Sequence, residues 1–311
     1  MMTVSPNRPL PGATAKGAHL AQGFMRDRSE PSTMRALLIE GGGVRSAFAA
    51  GVLDALTDEV EPFDIVAGTS AGALLGAAFL AGQHGRSARV LRDPACRAAF
   101  GRIGDFLRGG DLVDLDLLYY AAEALEPLDA AALCAHPSRF FVTLTDVESG
   151  AGCLIEPEPD ELVDALIATS ALPIAVREPR RLRGRRWLDG GIALPIPVQQ
   201  SIDLGATHIV IVRTRQAGYR NSGRSGRLAA PWFDRHQPAL AEALRNRGDV
   251  YNAMLDLIEA PPAGISIEQI LPRRAPACSR TGGTDVDVVR DHLMGMDAGR
   301  TWLTEQRLRG R

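Results

Sequence analysis

Phe63-Asp64-Ile65-Val66-Ala67-Gly68-Thr69-Ser70-Ala71-Gly72-Ala73-Leu74-Leu75-Gly76-Ala77-Ala78-Phe79-Leu80 reads as a short buried strand, a tight turn and a helix rich in small residues, with Ser70 at the apex. The turn spells G-x-S-x-G. Gly68 and Gly72 relieve crowding at a sharp strand-to-helix turn, which leaves the Ser70 hydroxyl exposed above the sheet as a candidate nucleophile. The N-terminus of the following helix lies beside it, and its unpaired N–H groups favour an oxyanion on an attacked carbonyl. The uncharged run Ile65 to Gln83 is long enough for a membrane span, which needs roughly 18 apolar residues. Its glycines, its Thr-Ser pair and its strand-like start argue against that reading.

Upstream, Arg35-Ala36-Leu37-Leu38-Ile39-Glu40 reads as a buried strand that runs into Gly41-Gly42-Gly43-Val44-Arg45-Ser46. A helix from Ala47 to about Asp58 follows, with Phe48, Val52, Leu53 and Leu56 as its apolar stripe. A glycine-rich turn between a first strand and a first helix is an anion cradle. A dinucleotide phosphate would call for G-x-G-x-x-G and an acidic residue closing the next strand. Here Ser46 stands where the last glycine belongs, and the next strand ends in the Ser70 turn. An oxyanion hole facing Ser70 fits better, because the ends of consecutive parallel strands share one edge of the sheet.

The 311 residues suffice for a large core, and 45% hydrophobic with 23% charged residues is ordinary for a globular protein. A net charge of -2 supplies no general attraction for nucleic acid or an anionic membrane. Cys96, Cys134, Cys153 and Cys278 are scattered and form no C-x-x-C pair, so free thiols are expected rather than a metal site or a disulfide framework. The N-terminus lacks the apolar core of a signal peptide, which makes the cytoplasm the expected location. Residues 1–33, rich in Pro, Gly, Ser and Arg, are expected to be a mobile tail.

From Gly85 to about Glu126 the pattern is helical, with Arg86, Arg89, Arg92, Arg97 and Arg102 expected on solvated faces. Phe140–Thr145 and Cys153–Ile155 read as a strand pair, and Glu161 to Ser170 as a short helix. Arg177 to Arg186 is a hairpin holding six arginines, either a solvated ribbon or a holder of phosphate head groups. It leads into Trp187-Leu188-Asp189-Gly190-Gly191, where Asp189, flanked by Gly190 and Gly191, is expected as an exposed carboxylate on a constrained loop. Thr207–Val212 is a further buried strand. Beyond a polar break at Gln216 to about Arg227 the chain is mainly helical, with Ala239–Ile258 interrupted near Gly248 and an extra strand at Ile265–Leu271.

Three pieces in order, Gly41-Gly42-Gly43-Val44-Arg45, Gly68-Thr69-Ser70-Ala71-Gly72 and Asp189-Gly190-Gly191, resemble the patatin-like phospholipase family. Ala168-Thr169-Ser170-Ala171-Leu172-Pro173 is similar to that family's A-S-x-A-x-P segment, and the resemblance runs from about Arg35 to Val212. Tyr251-Asn252 and Leu271-Pro272 resemble a bacterial subgroup of unassigned substrate. The resemblance implies an α/β protein with a three-layer α/β/α fold and a mostly parallel central sheet; with the chain's own pattern this divides it into a catalytic domain over 34–215 and a mainly helical extension over 216–311, whose extra strand argues that it packs on the same core. It implies a serine lipid acyl hydrolase with Ser70 as nucleophile, Asp189 as base and the turn Gly41 to Arg45 as oxyanion hole. No cofactor or metal is implied, and the partner is a lipid or acyl-ester substrate, with transient contact to a membrane surface. A non-catalytic lipid-binding or regulatory protein on the same fold is the alternative. Its grounds are the arginine hairpin and Ser46, which replaces a family glycine and would strain the turn if that position needs positive φ. A conventional triad through one of the histidines is also open.

Overall fold

The computed structural model describes residues 33–309. The tail expected over residues 1–33 lies, apart from Thr33, outside the described residues. Short apolar runs bounded by glycine or polar breaks form the strands: β1 (Arg35–Ile39), β2 (Ile65–Gly68), β3 (Arg139–Asp146), β4 (Gly152–Ile155), β5 (Arg180–Leu182), β6 (Arg185–Asp189), β7 (His208–Val212) and β8 (Ser266–Ile270). They make one sheet in the order β5-β6-β3-β2-β1-β7-β8, with β4 paired to β3. The run β3-β2-β1-β7-β8 is parallel, and the pairs β3–β4, β3–β6 and β5–β6 are antiparallel.

Successive strand residues face opposite sides, and this alternation sorts the core into layers. Leu37, Ile39, Val66, Val210 and Val212 pack on one face with α1 (Ala47–Leu56), α2 (Ala71–Leu80) and the C-terminal helix Asp285–Arg309. Ala36, Leu38, Ile65, Ile209 and Ile211 pack on the other with Val198, Tyr251, Leu255 and Ile258 from the helices Val198–Asp203 and Pro238–Glu259. The fold is three-layer α/β/α with a mixed sheet whose centre is parallel. β8 extends that sheet beside β7, and the C-terminal helix lies on α1 so closely that a Cβ on Gly295 would meet the Phe48 carbonyl oxygen at 1.9 Å.

Two sequence expectations change. Helix Pro238–Glu259 is continuous through Gly248. That glycine is a close-approach position, since a Cβ there would stand 2.7 Å from Gly223 Cα. Arg86 is 6% exposed rather than solvated, with its guanidinium 2.9 Å from Glu123 and bonded to the Glu126 carbonyl. The four thiols are unpaired. Cys96 and Cys278 are buried, and Cys134 is exposed.

Candidate active site

Because β1 and β2 are adjacent and parallel, with Ile39 opposite Gly68, the turns that follow them emerge at the same edge. At the second turn, Ser70 carries φ 54 and ψ -131, a conformation rare for a residue with a side chain. The elbow is held by its surroundings. The Ser70 N–H donates to Thr169 Oγ1 at 2.9 Å, and that hydroxyl donates to the Thr143 carbonyl of β3 at 2.7 Å. Thr143 Oγ1 in turn donates to Thr69 Oγ1 at 2.8 Å. Gly68 closes β2 and Gly72 lies in the first turn of α2, where its N–H donates to the Thr69 carbonyl.

The turn after β1 presses onto this elbow. A Cβ on Gly41 would stand 2.5 Å from the Thr69 carbonyl oxygen and 2.9 Å from Ser70 Cβ, so only glycine fits there. Gly43 takes φ 56, a left-handed backbone that glycine adopts without strain. Among the described residues, the amides of Gly42, Gly43 and Ala71 donate to no acceptor. The Val44 amide is committed: it donates to the Arg280 carbonyl at 2.9 Å, which removes it from the expected set of oxyanion donors. Arg45 is buried and folds beneath the turn, its Nε 3.4 Å from Thr214 Oγ1, which donates to the Gly41 carbonyl at 3.0 Å. Ser46 sits at φ -68 with its hydroxyl donated to the Gly43 carbonyl. That position needs no positive φ, so the replacement of a glycine by Ser46 does not strain the turn.

Asp189 ends β6 and is 3% exposed, a correction to the exposed loop carboxylate expected from its glycine neighbours. Its N–H donates to the Ala171 carbonyl, and its Oδ1 accepts from the Gly191 N–H at 2.7 Å. Thr145 Oγ1 donates to its carbonyl, and β3 passes so close to Gly190 that a Cβ there would strike Thr143 Oγ1. Burial pushes the Asp189 carboxyl above the ordinary carboxylate range, against the Gly191 N–H, Arg247 and the Ser70 hydroxyl, all of which favour its charged form. Arg247, from helix Pro238–Glu259, donates from Nε to the Gly191 carbonyl at 2.8 Å.

Ser70, Asp189 and the glycine turn line one cavity. Its apolar wall includes Leu74, Leu91, Phe100, Leu118, Ile167 and Leu172, and its cationic wall includes Arg45, Arg215, Arg247 and Arg280. No histidine of the described residues lines it. His208 begins β7, at the opposite edge of the parallel sheet, and His292 is bonded to Asp54 at 2.7 Å between α1 and the C-terminal helix. Among the described residues, no three His, Cys, Asp or Glu side chains converge on a metal-sized site.

A family model described as Patatin-like phospholipase matches residues 37–202, just over half of the chain. The chain belongs to the patatin-like phospholipase family. A second model, Domain of unknown function (DUF6363), matches residues 237–308 of this patatin-like chain. The uncharacterized protein YjjU of Escherichia coli (strain K12) is 32% identical over 274 residues, covering 86% of this chain and 76% of that relative. The uncharacterized NTE family protein Mb1092c of Mycobacterium bovis is 27% identical over 228 residues, or 69% of this chain and 59% of that protein. The crystal structure of VipD from Legionella pneumophila overlays with a TM-score of 0.45 and 14% identity, over 88% of this chain and 67% of that one.

Sequence reasoning missed several residues of this patatin-like site. Thr143 and Thr169, which hold the elbow, looked like ordinary strand and helix-end residues. Arg247 and Arg280 lie in the region of the second family model, far from any motif. The one available signal for Thr169 was its place in the Ala168–Pro173 segment.

Proposed function

We propose that this protein hydrolyses acyl esters of lipids through a dyad of Ser70 and Asp189. The observation that carries this reading is the shared cavity: a serine on a positive-φ elbow, a buried carboxylate, unclaimed backbone amides and an apolar wall meet in one place. Asp189 takes the Ser70 proton as Oγ attacks the ester carbonyl. The Gly42, Gly43 and Ala71 amides receive the oxyanion. The alcohol leaves with the proton, and water repeats the cycle on the acyl-enzyme to release the fatty acid. The wall of Leu91, Phe100, Leu118 and Ile167 accommodates the acyl chain.

A carboxylate is a weaker base than histidine by about 2.6 pKa units, roughly 3.5 kcal/mol. Burial of Asp189 recovers part of that deficit. Each oxyanion donor contributes about 3 to 4 kcal/mol in the transition state, so the cradle offsets the rest. The absence of a cavity-lining histidine among the described residues supports the dyad over a triad. No helix of the described residues is long and apolar enough to cross a membrane.

The test is hydrolysis of short and long p-nitrophenyl esters and of a phospholipid by the wild type and by Ser70→Ala, with fluorophosphonate labelling alongside. Turnover and labelling that vanish in the variant support the hydrolase. Equal rates in both proteins remove Ser70 as nucleophile. No turnover and no labelling of a folded wild type would assign the fold a lipid-binding role.

A further inference from the structure

The cavity is unbalanced in charge. Arg45, Arg86, Arg97, Arg215, Arg247 and Arg280 line it, against Glu40, Glu123 and Asp189. Each carboxylate is already engaged. Glu40 accepts from the Thr214 N–H at 2.7 Å and the Tyr251 hydroxyl at 2.6 Å, Glu123 holds Arg86, and Asp189 holds the Gly191 N–H. Arg97 donates to the Gly283 carbonyl and Arg247 to the Gly191 carbonyl. Among the described residues only Arg86 of the six has a carboxylate partner; Arg45 donates to Thr214 Oγ1, and Arg215 and Arg280 make no side-chain hydrogen bond or ion pair.

Arg45, Arg215 and Arg280 come from separate segments and line the same cavity as Ser70. Arg45 lies beneath the glycine turn. The side chain and carbonyl of Arg280 flank Gly43, whose Cβ would stand 3.2 Å from Arg280 Cγ. Arg215 follows β7 and covers the Tyr219 ring at 4.4 Å. Their mutual repulsion bears on Arg45: burial first, then Arg215 and, against the pull of Glu40, Arg280 bring its pKa down to about 10. Like charges gathered in a partly buried cavity are a standing electrostatic penalty that an anionic ligand relieves.

We propose that Arg45, Arg215 and Arg280 form a subsite for a phosphate head group, so that the site takes an acyl lipid with an uncompensated phosphate, such as a monoacylglycerol phosphate. This rests on the acyl-hydrolase reading above. A phosphate offers several oxygens to planar guanidinium donors arriving from different directions. A zwitterionic lipid is disfavoured, because its quaternary ammonium would enter a field already cationic. The Tyr219 face that would otherwise receive that ammonium is taken by Arg215.

The experiment is calorimetric titration of the full chain carrying Ser70→Ala with three probes: octanoyl-glycerol phosphate, octanoyl-glycerophosphocholine and inorganic phosphate. The expected result is binding of the phosphate lipid about tenfold tighter than the choline lipid. That ratio should fall towards one when Arg215→Gln and Arg280→Gln are added together, and part of the way with Arg215→Gln alone, which serves if the combined variant does not fold. Equal affinity for the two lipids, or a preference that survives both substitutions, would overturn the proposal. Inorganic phosphate binding as tightly as the phosphate lipid would also overturn it, by making this a free-anion site. Wild-type turnover of p-nitrophenyl esters separates the two readings. Ester cleavage without phosphate preference sinks the subsite alone, and phosphate-lipid binding without cleavage of any ester sinks the hydrolase alone.

Discussion

The hairpin Arg177–Arg186 carries six arginines in ten residues, whereas the cavity around Ser70 collects Arg45, Arg215, Arg247 and Arg280 from four distant places in the chain. In sequence the hairpin is the conspicuous cation. In the fold most of its charge is spent locally: Arg180 pairs with Asp116 at 3.0 Å, Arg183 with Glu161 at 2.6 Å, Arg185 with Asp146 at 2.7 Å and Arg186 with Glu148 at 2.8 Å. Arg183 and Gly184, at φ 51 and 70, simply make its two-residue turn. The dispersed arginines face a cavity poor in free carboxylates, and there they act on one another and on Asp189. Charge density along a chain and electric field at a site are different quantities, because pairing and solvent cancel the first while burial preserves the second.

The largest test of that contrast removes the one carboxylate that the cationic wall addresses beside Ser70. Asp189→Asn keeps the shape and the Gly191 hydrogen bond to Oδ1 but cannot take a proton. The expected outcome is a loss of about 10³-fold in kcat on a p-nitrophenyl ester, in the range for removing a general base, with the thermal unfolding transition retained. Near-normal turnover would show that the arginines surround a structural carboxylate and that another group is the base.

Next in size is Arg247. Its Nε bond to the Gly191 carbonyl ties the long helix Pro238–Glu259 to the Asp189-Gly190-Gly191 turn, and its charge favours ionised Asp189. Arg247→Gln is expected to lower kcat/KM by about 10- to 100-fold, the range for losing a buried hydrogen bond to a charged donor. A pH profile tells field from packing. With Asp189 as the proposed base, which must be ionised to act, kcat/KM of the wild type is expected to fall as pH drops through the raised Asp189 pKa, above the ordinary carboxylate value of about 4. Removing a neighbouring cation raises that pKa further, so the acidic limb of Arg247→Gln should move to higher pH. A limb that stays in place while activity drops would make Arg247 a purely mechanical anchor.

This pattern explains what the sequence disclosed. The elbow at Ser70, the glycine turn and the Asp189 segment were legible because each is a run of adjacent residues whose backbone must take one shape. The parallel strands Arg35–Ile39, Ile65–Gly68 and His208–Val212 were legible for the same reason, as uninterrupted apolar runs. Arg247, Arg280 and Thr169 act through single side chains brought in by helix and loop packing, and a lone arginine after a family motif looks like any surface arginine. The exposure of Asp189 was misjudged because its glycine neighbours suggested a solvent-facing turn, whereas the pairing of β6 with β3 buries it. Gly248 was misjudged as a break because close helix packing and helix termination use the same residue.

The smallest effect belongs to the hairpin, and it is the control for everything above. Arg186 and Glu148 are both well exposed, so their ion pair is screened by water and its formation immobilises two long side chains. Arg186→Gln should therefore leave unfolding in urea within about 0.5 kcal/mol of the wild type, and kcat/KM on a p-nitrophenyl ester within twofold. The same reasoning predicts that the preference of the Ser70→Ala protein for a phosphate lipid over its choline counterpart survives Arg186→Gln intact. A marked loss of that preference would place the hairpin in the field of the site after all. The difference between a locally neutralised run of arginines and a set that reaches the substrate would then have been drawn in the wrong place.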